Sequence, residues 1–271
     1  MLNPALLKRT LRDYLPIWAV AAIMIAGFVV LFNFAMQAIP RQQTEVWLEI
    51  PWIRRFFVAL AGADALELTR PEGMLSFVFS HPLVWTLLVA FCLTISSGVL
   101  AGEVDRGTMD LLATLPISRS RIYISVSIAT LLLTIALCWM VWLGAWIGTS
   151  VTGATEVRMR LLAIVCCNLC AAMVCLIGWS LLVSAMSERR GMAVAVAFGI
   201  IFYSFVINFL RTMWPALEPL AFTSYLTYYT PLVIIRDEAW PWSHLLILIA
   251  IGAACWTAGL LVLRRRDFPA R

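Results

Sequence analysis

Lysine is almost absent from this chain of 271 residues, with Lys8 as its single copy. A Walker-type phosphate loop needs the lysine of GxxxxGK[ST] to reach the phosphates, and the residues around Lys8 do not supply that pattern. The chain therefore has no such nucleotide cradle of its own. Charge of either sign is scarce, 13% of residues against about 25% in soluble domains. Hydrophobic residues reach 62% and the mean hydropathy is +0.92, more apolar surface than a water-soluble fold can bury. Histidine occurs only twice, as His81 and His244. Both begin apolar blocks and could bind a metal or sense pH, but they read more simply as interfacial residues. No serine-nucleophile motif, zinc-protease helix or pair of acids falls inside an apolar block, so enzymatic chemistry has little support.

Cysteine is present but not as a framework. Cys92, Cys138, Cys166, Cys167, Cys170, Cys175 and Cys255 all lie in apolar stretches, which argues against secreted-type disulfides. The spacing of Cys166, Cys167, Cys170 and Cys175 looks like a metal cluster on paper. No histidine is nearby and the surroundings are apolar, so these are read as small, polarizable core residues.

Long hydrophobic runs dominate the chain. About 20 apolar residues cross about 30 Å of hydrocarbon, and six charge-free blocks qualify: 17–37, 82–102, 122–149, 161–186, 191–210 and 245–263. The sequence therefore predicts an all-α membrane protein, one transmembrane domain over 1–271 with six spans. The first block is too long for a signal-peptide core and reads as an uncleaved span. Pro16 and Pro82 are expected to open spans, with no proline inside one.

Orientation follows from lysine and arginine near the span ends. Lys8, Arg9, Arg12, then Arg106, Arg119 and Arg121, then Arg189 and Arg190, then Arg264, Arg265, Arg266 and Arg271 fall in short segments on one side. The other side has fewer arginines per residue, in long loops at 38–81 and 211–244, partly neutralised by Glu45, Glu49, Asp64, Glu67 and Glu72. Both termini are thus expected in the cytoplasm, and the net charge of +5 with a pI near 9.0 suits orientation rather than nucleic acid. Trp85, Trp139, Trp142, Trp146, Trp214, Trp240 and Trp242 mark the outer level as an aromatic belt. Residues 1–16, with Leu7, Leu11, Tyr14 and Leu15 at helical spacing among charges, predict a short amphipathic helix in the cytoplasmic interface.

The segment 103–121 is the most informative stretch. Glu103, Asp105 and Arg106 close the second span, and Gly107 precedes Thr108, which can cap a new helix. Asp110 would sit in its first turn, favourable to the helix dipole. Met109, Leu111, Leu112 and Leu115 give it an apolar side, Pro116 stops it, and Ser118 or Ser120 caps the third span. A plain connector would not need those leucines, so the segment reads as a docking surface.

Here the sequence resembles a known family. A glutamate closing a span, then Asp-Arg-Gly-Thr-Met-Asp-Leu-Leu at 105–112 and Leu-Pro-Ile-Ser-Arg-Ser-Arg at 115–121, is similar to the permease subunits of type-two ABC exporters. Weaker matches are Arg-Pro-Glu-Gly-Met at 70–74, the stretch Ser224 to Leu232, and Arg-Arg-Arg-Asp-Phe from Arg264. The resemblance implies an amphipathic connecting helix, six spans and short re-entrant helices before the sixth, helped by Pro215, Pro219, Pro231 and Pro241. It also implies that Glu103, Asp105, Arg106, Gly107, Thr108, Asp110, Leu111, Leu112 and Pro116 form a coupling segment resting on a separate ATPase subunit. That partner would hold ATP and magnesium, the permease would pair with itself or a relative, and the complex would sit in a bacterial or archaeal inner membrane. The lysine typical of the family after this segment is missing, with Ser125 and Ser127 in its neighbourhood.

Energetics argues the same way. Ion-coupled transporters keep ionisable or broken-helix sites near mid-membrane, and the six blocks hold no charge, so energy for uphill transport must come from outside the chain. Gly98/Gly102 and Gly144/Gly148 are GxxxG pairs, one of which could serve a homodimer unless both are chance. Asn33, Asn168 and Asn208 are candidate interhelical hydrogen-bonding groups or cargo contacts. Two other readings stay open: an integral membrane enzyme acting on lipid head groups through Asp64, Glu67 and Glu72, and a non-transporting membrane scaffold or sensor.

Overall fold

Six helices long and apolar enough to cross a bilayer account for most of the computed structural model, which describes residues 2–38, 50–51, 70–107, 118–154 and 157–266. The described residues form no strand. In chain order the helices are α1 (Pro4–Gln37), α2 (Pro71–Val78), α3 (Pro82–Val99), α4 (Ala101–Asp105), α5 (Arg119–Thr152), α6 (Met159–Met186), α7 (Arg190–Met213), α8 (Pro231–Asp237) and α9 (Trp242–Arg265). Two 3₁₀ segments, Pro215–Thr223 and Tyr225–Tyr228, lie between α7 and α8.

The charge-free runs become helices because a backbone in lipid must satisfy its own hydrogen bonds. Threonines and serines inside them bond back to the preceding turn, as Thr130 Oγ1 does to the Val126 carbonyl at 2.9 Å and Ser96 Oγ to Cys92 at 2.7 Å. Ends are set by local chemistry. Asn3 caps α1 by accepting from Ala5 and Leu6, and its own N–H donates to the buried Ser125 hydroxyl at 2.9 Å. Ser118 caps α5, and Gly153, at φ 71°, closes it in the left-handed region.

Residues 4–37 form one continuous helix, with Pro16 inside it rather than opening a span. The carbonyl deprived of a donor belongs to Arg12, an exposed residue, so the missing bond falls where polar surroundings can replace it. At 34 residues α1 is about 51 Å long, well beyond the hydrocarbon thickness. Residues 71–78, assigned by sequence to an outer loop, form α2, which buries Glu72, Leu75 and Val78 against α8 and α6. Prolines open α2, α3, the first 3₁₀ segment and α8, where their missing N–H is not needed. The short helices at 215–237 occupy the stretch for which re-entrant helices were implied, and they bury Tyr225, Tyr229, Leu232, Ile234 and Ile235.

Two long helix pairs organise the bundle, α1 along α5 and α6 along α9. Their closeness depends on small residues. A Cβ added at Gly252 of α9 would meet the Val174 carbonyl of α6 at 2.8 Å, and one added at Gly178 would run into the Gly252 backbone. Gly144 and Gly148 lie against α1, where an added Cβ would come within 2.8 Å of the Ala26 carbonyl and of Asn33 respectively. This GxxxG pair is therefore used inside the chain, not at a homodimer face. α6 is the hub, touching α9, α5, α3, α7, α8 and α2.

Candidate functional site

α3 stops at Val99 because Leu100 leaves helical geometry, at φ −124° and ψ −73°. The break is anchored from α6, where the Ser184 hydroxyl accepts the buried Ala101 N–H at 3.1 Å. The short helix α4 then presents Glu103 and Asp105, and Gly107 turns the chain at φ 68°.

These acids join three elements. Glu103 takes an ion pair from Arg106 at 2.8 Å, three residues on, and Arg9 of α1 reaches the same carboxylate at 4.0 Å. The Asp105 carboxylate accepts the backbone N–H of Arg190, the first residue of α7, at 3.4 Å. The Arg190 side chain turns back across α3, donating to the Ser97 hydroxyl at 3.3 Å and the Thr94 carbonyl at 3.2 Å. The root of segment 103–121 is thus tied to α1, α3 and α7. Thr108, Asp110, Leu111, Leu112 and Pro116 lie outside the described residues.

α3 and α7 line a cavity of about 560 Å³ that is open on one side. Its walls are apolar, with Leu93 and Ala90 on one side and Phe198, Phe202 and Phe205 on the other. Polar atoms are few. Arg190 lies at one end, and Asn208 adds a buried Oδ1 without a hydrogen-bond partner toward the other. Phe198 stacks on Phe202 with centroids 6.4 Å apart, and Phe205 on Phe209 at 6.0 Å, forming an aromatic stripe along α7. Few polar groups in a large apolar wall suit an amphipathic molecule better than an ion or sugar.

The cavity end opposite Arg190 is closed by paired loops. The Phe79 carbonyl, in the turn between α2 and α3, accepts both Trp85 Nε1 at 2.9 Å and the Tyr229 hydroxyl at 3.0 Å. Asn168 of α6 accepts the Thr230 N–H at 3.1 Å and donates to the Tyr228 carbonyl at 3.3 Å, pinning the same loop. Arg158 then bridges two acids, Glu72 of α2 at 2.9 Å and Glu238 after α8, through two bonds of 2.7 Å. Those bonds hold the Glu238 carboxyl below its ordinary value and raise the guanidinium of Arg158 further.

Other residues singled out by sequence take structural roles. His81 caps α3 by accepting from Leu83, and His244 shares a 3.1 Å hydrogen bond with Thr230. Trp142 donates its indole N–H to the Met159 carbonyl at 3.2 Å. Cys166 donates to the Cys138 carbonyl, all seven cysteines are free, and the described residues hold no metal-binding group of histidine, cysteine or acid. Glu72, one of the acids a head-group enzyme would need, is engaged by Arg158, while Asp64 and Glu67 lie outside the described residues. Sequence reasoning missed Arg190, Tyr229 and the Arg158 bridge. Arg190 counted only as an orienting charge, although an arginine at the first position of a span can reach back into the bundle.

A bundle of six candidate spans, with no strand among the described residues, defines a multi-pass helical membrane protein. The chain belongs to the ABC-2 family: the family model described as "ABC-2 family transporter protein" matches residues 8–268, nearly its whole length. It is accordingly a permease component of an ABC transporter rather than the catalytic subunit. No curated protein matches the sequence.

Proposed function

We propose that this chain is the permease subunit of an ATP-driven exporter, carrying an amphipathic cargo and powered by a separate cytoplasmic ATPase. The observation that carries this reading is the wiring of Asp105 and Arg190. One acid at the root of segment 103–121 holds the first turn of α7, and the arginine of that turn grips α3. A push on the segment would thus reach both walls of the cavity through short polar links. Two packed states of the bundle, differing in the α3–α7 spacing, would convert that push into access from alternate sides.

On this reading both termini and segment 103–121 face the cytoplasm, Thr108 to Leu112 dock on the ATPase, and ATP and magnesium stay with that partner. The exposed aromatic stripe of α7 supports pairing of two permease copies, since a second such face would close the open side of the cavity. Export, and a bacterial or archaeal inner membrane, follow from the resemblance of the segment to type-two exporters.

The test is co-expression with a candidate ABC ATPase subunit, followed by co-purification and nucleotide hydrolysis by the complex. Asp110→Lys and Leu112→Asp are expected to lower ATPase retention at least about tenfold, the worth of a desolvated contact near 1.4 kcal/mol. Normal retention and hydrolysis with both variants would overturn the coupling assignment.

A further inference from the structure

Two further pockets run in register along the seam between α1 and α3. The first, about 370 Å³, lies at the N-terminal end of α1 and has a charged rim of Arg9, Asp13, Glu103 and Arg106, with Tyr14 and Gly98 behind. The second, about 420 Å³, continues along the same helices and is apolar throughout, lined by Ile17, Val20, Met24, Leu87 and Phe91. Both exist because α1 leans on α5 and only lightly on α3. From Pro16 to Met24 the groove follows about 12 Å of helix rise, most of the roughly 15 Å depth of one leaflet's hydrocarbon.

We propose that this seam binds one phospholipid with a primary-ammonium head group, of the phosphatidylethanolamine class. The two guanidinium groups suit the phosphate, and Asp13 suits the ammonium. Both arginines are more than half exposed, and the Arg9 contacts, 3.6 Å to Asp13 and 4.0 Å to Glu103, are long for hydrogen bonds. Arg9 is therefore free to turn toward a phosphate without breaking a tight pair, while Arg106 keeps its 2.8 Å pair with Glu103 and offers its remaining N–H groups. The apolar groove begins one turn above this rim, where an acyl chain leaves the glycerol. A phosphatidylglycerol has no ammonium for Asp13, and a quaternary choline head has no N–H to donate. The seam thus distinguishes head groups, which an ordinary lipid-facing surface does not. Its position beside Glu103 and Arg106 makes the lipid a modulator of the segment root. Assigning the lipid to the inner leaflet rests on the cytoplasmic placement of the termini proposed above, whereas binding itself does not.

The test uses the full chain, purified in detergent and stripped of lipid, then titrated with dioleoyl phosphatidylethanolamine, phosphatidylglycerol or phosphatidylcholine. Native mass spectrometry counts the bound lipids. The ethanolamine lipid is expected to bind about tenfold more tightly than the other two, the worth of one charge-assisted hydrogen bond. Asp13→Asn should abolish that preference, Arg9→Ala should weaken all three lipids, and Val20→Phe should weaken them by filling the groove. Unchanged thermal unfolding certifies each variant as folded. Equal binding of the three lipids by the wild type would overturn the proposal, as would Asp13→Asn keeping the preference. Equal competition by tail-less glycerophosphoethanolamine would overturn the role of the groove. ATPase retention, measured separately, reports on the exporter reading and not on this one.

Discussion

Asn168 shows how one polar side chain in an apolar helix can organise a distant loop. Its amide oxygen and nitrogen satisfy the Thr230 N–H and the Tyr228 carbonyl, and the loop they hold carries Tyr229 onto the Phe79 carbonyl. Asn168→Ala would leave two backbone groups without partners, at a cost of about 1–3 kcal/mol each when buried. The expected outcome is a clear drop in the thermal unfolding midpoint, with faster proteolysis of the 215–237 stretch. The Arg158 bridge gives a pH prediction. Because the Glu238 carboxyl is held below its ordinary value near 4.5, its contribution is complete above that pH and is lost as pH falls below it. Thermal unfolding of the detergent-solubilised protein should therefore weaken on acidification below about pH 4.5, with a shallower slope in Glu238→Gln. An identical slope in the two proteins would show that the Arg158–Glu238 pair takes no stabilising part.

At the scale of elements, helix pairs are decided by where backbones can approach. Gly178 and Gly252 put α6 and α9 in backbone contact, and neither belongs to a GxxxG pair. Gly252→Leu is expected to destabilise the fold by about 1–3 kcal/mol or more, since the crossing has no room for a side chain. Gly199→Leu, at a position with open space around its Cα, is the matched control and should be nearly neutral. Comparable loss from both would mean that the α6–α9 crossing is not the sensitive contact. Helix positions were readable because charge-free length is itself the signal for a span. Helix partners were not. Gly144/Gly148 looked like a candidate dimer face and turned out to seat α1, because nothing in the motif says which neighbour fills the notch. Pro16 misled for a related reason, as a proline near a helix start reads as a boundary unless the exposure of residue 12 is known.

For the whole molecule, the transport reading depends on geometry that links charge to cavity. Asp105 was singled out from its motif, but Arg190, its partner across 85 positions of chain, was not. The same holds for Glu72, Arg158 and Glu238, which join the start of α2, the start of α6 and the end of α8. Their spacing along the chain is too large for any local pattern to pair them. Segment 103–121 stood out early because capping, dipole and proline rules act within a few residues of each other.

The amino-acid sequence by itself determined that the solvent is lipid and that the chain crosses it as six apolar helices. Those are sums over single residues, each with its own transfer cost and each legible alone. Only the tertiary structure decided which helix faces meet, which arginine grips α3, and where a cavity and a lipid-sized seam are left open. Lipid is as apolar as leucine, so hydropathy cannot tell a lipid-facing side from a helix-facing one. Shape and a few long-range polar contacts settle that choice.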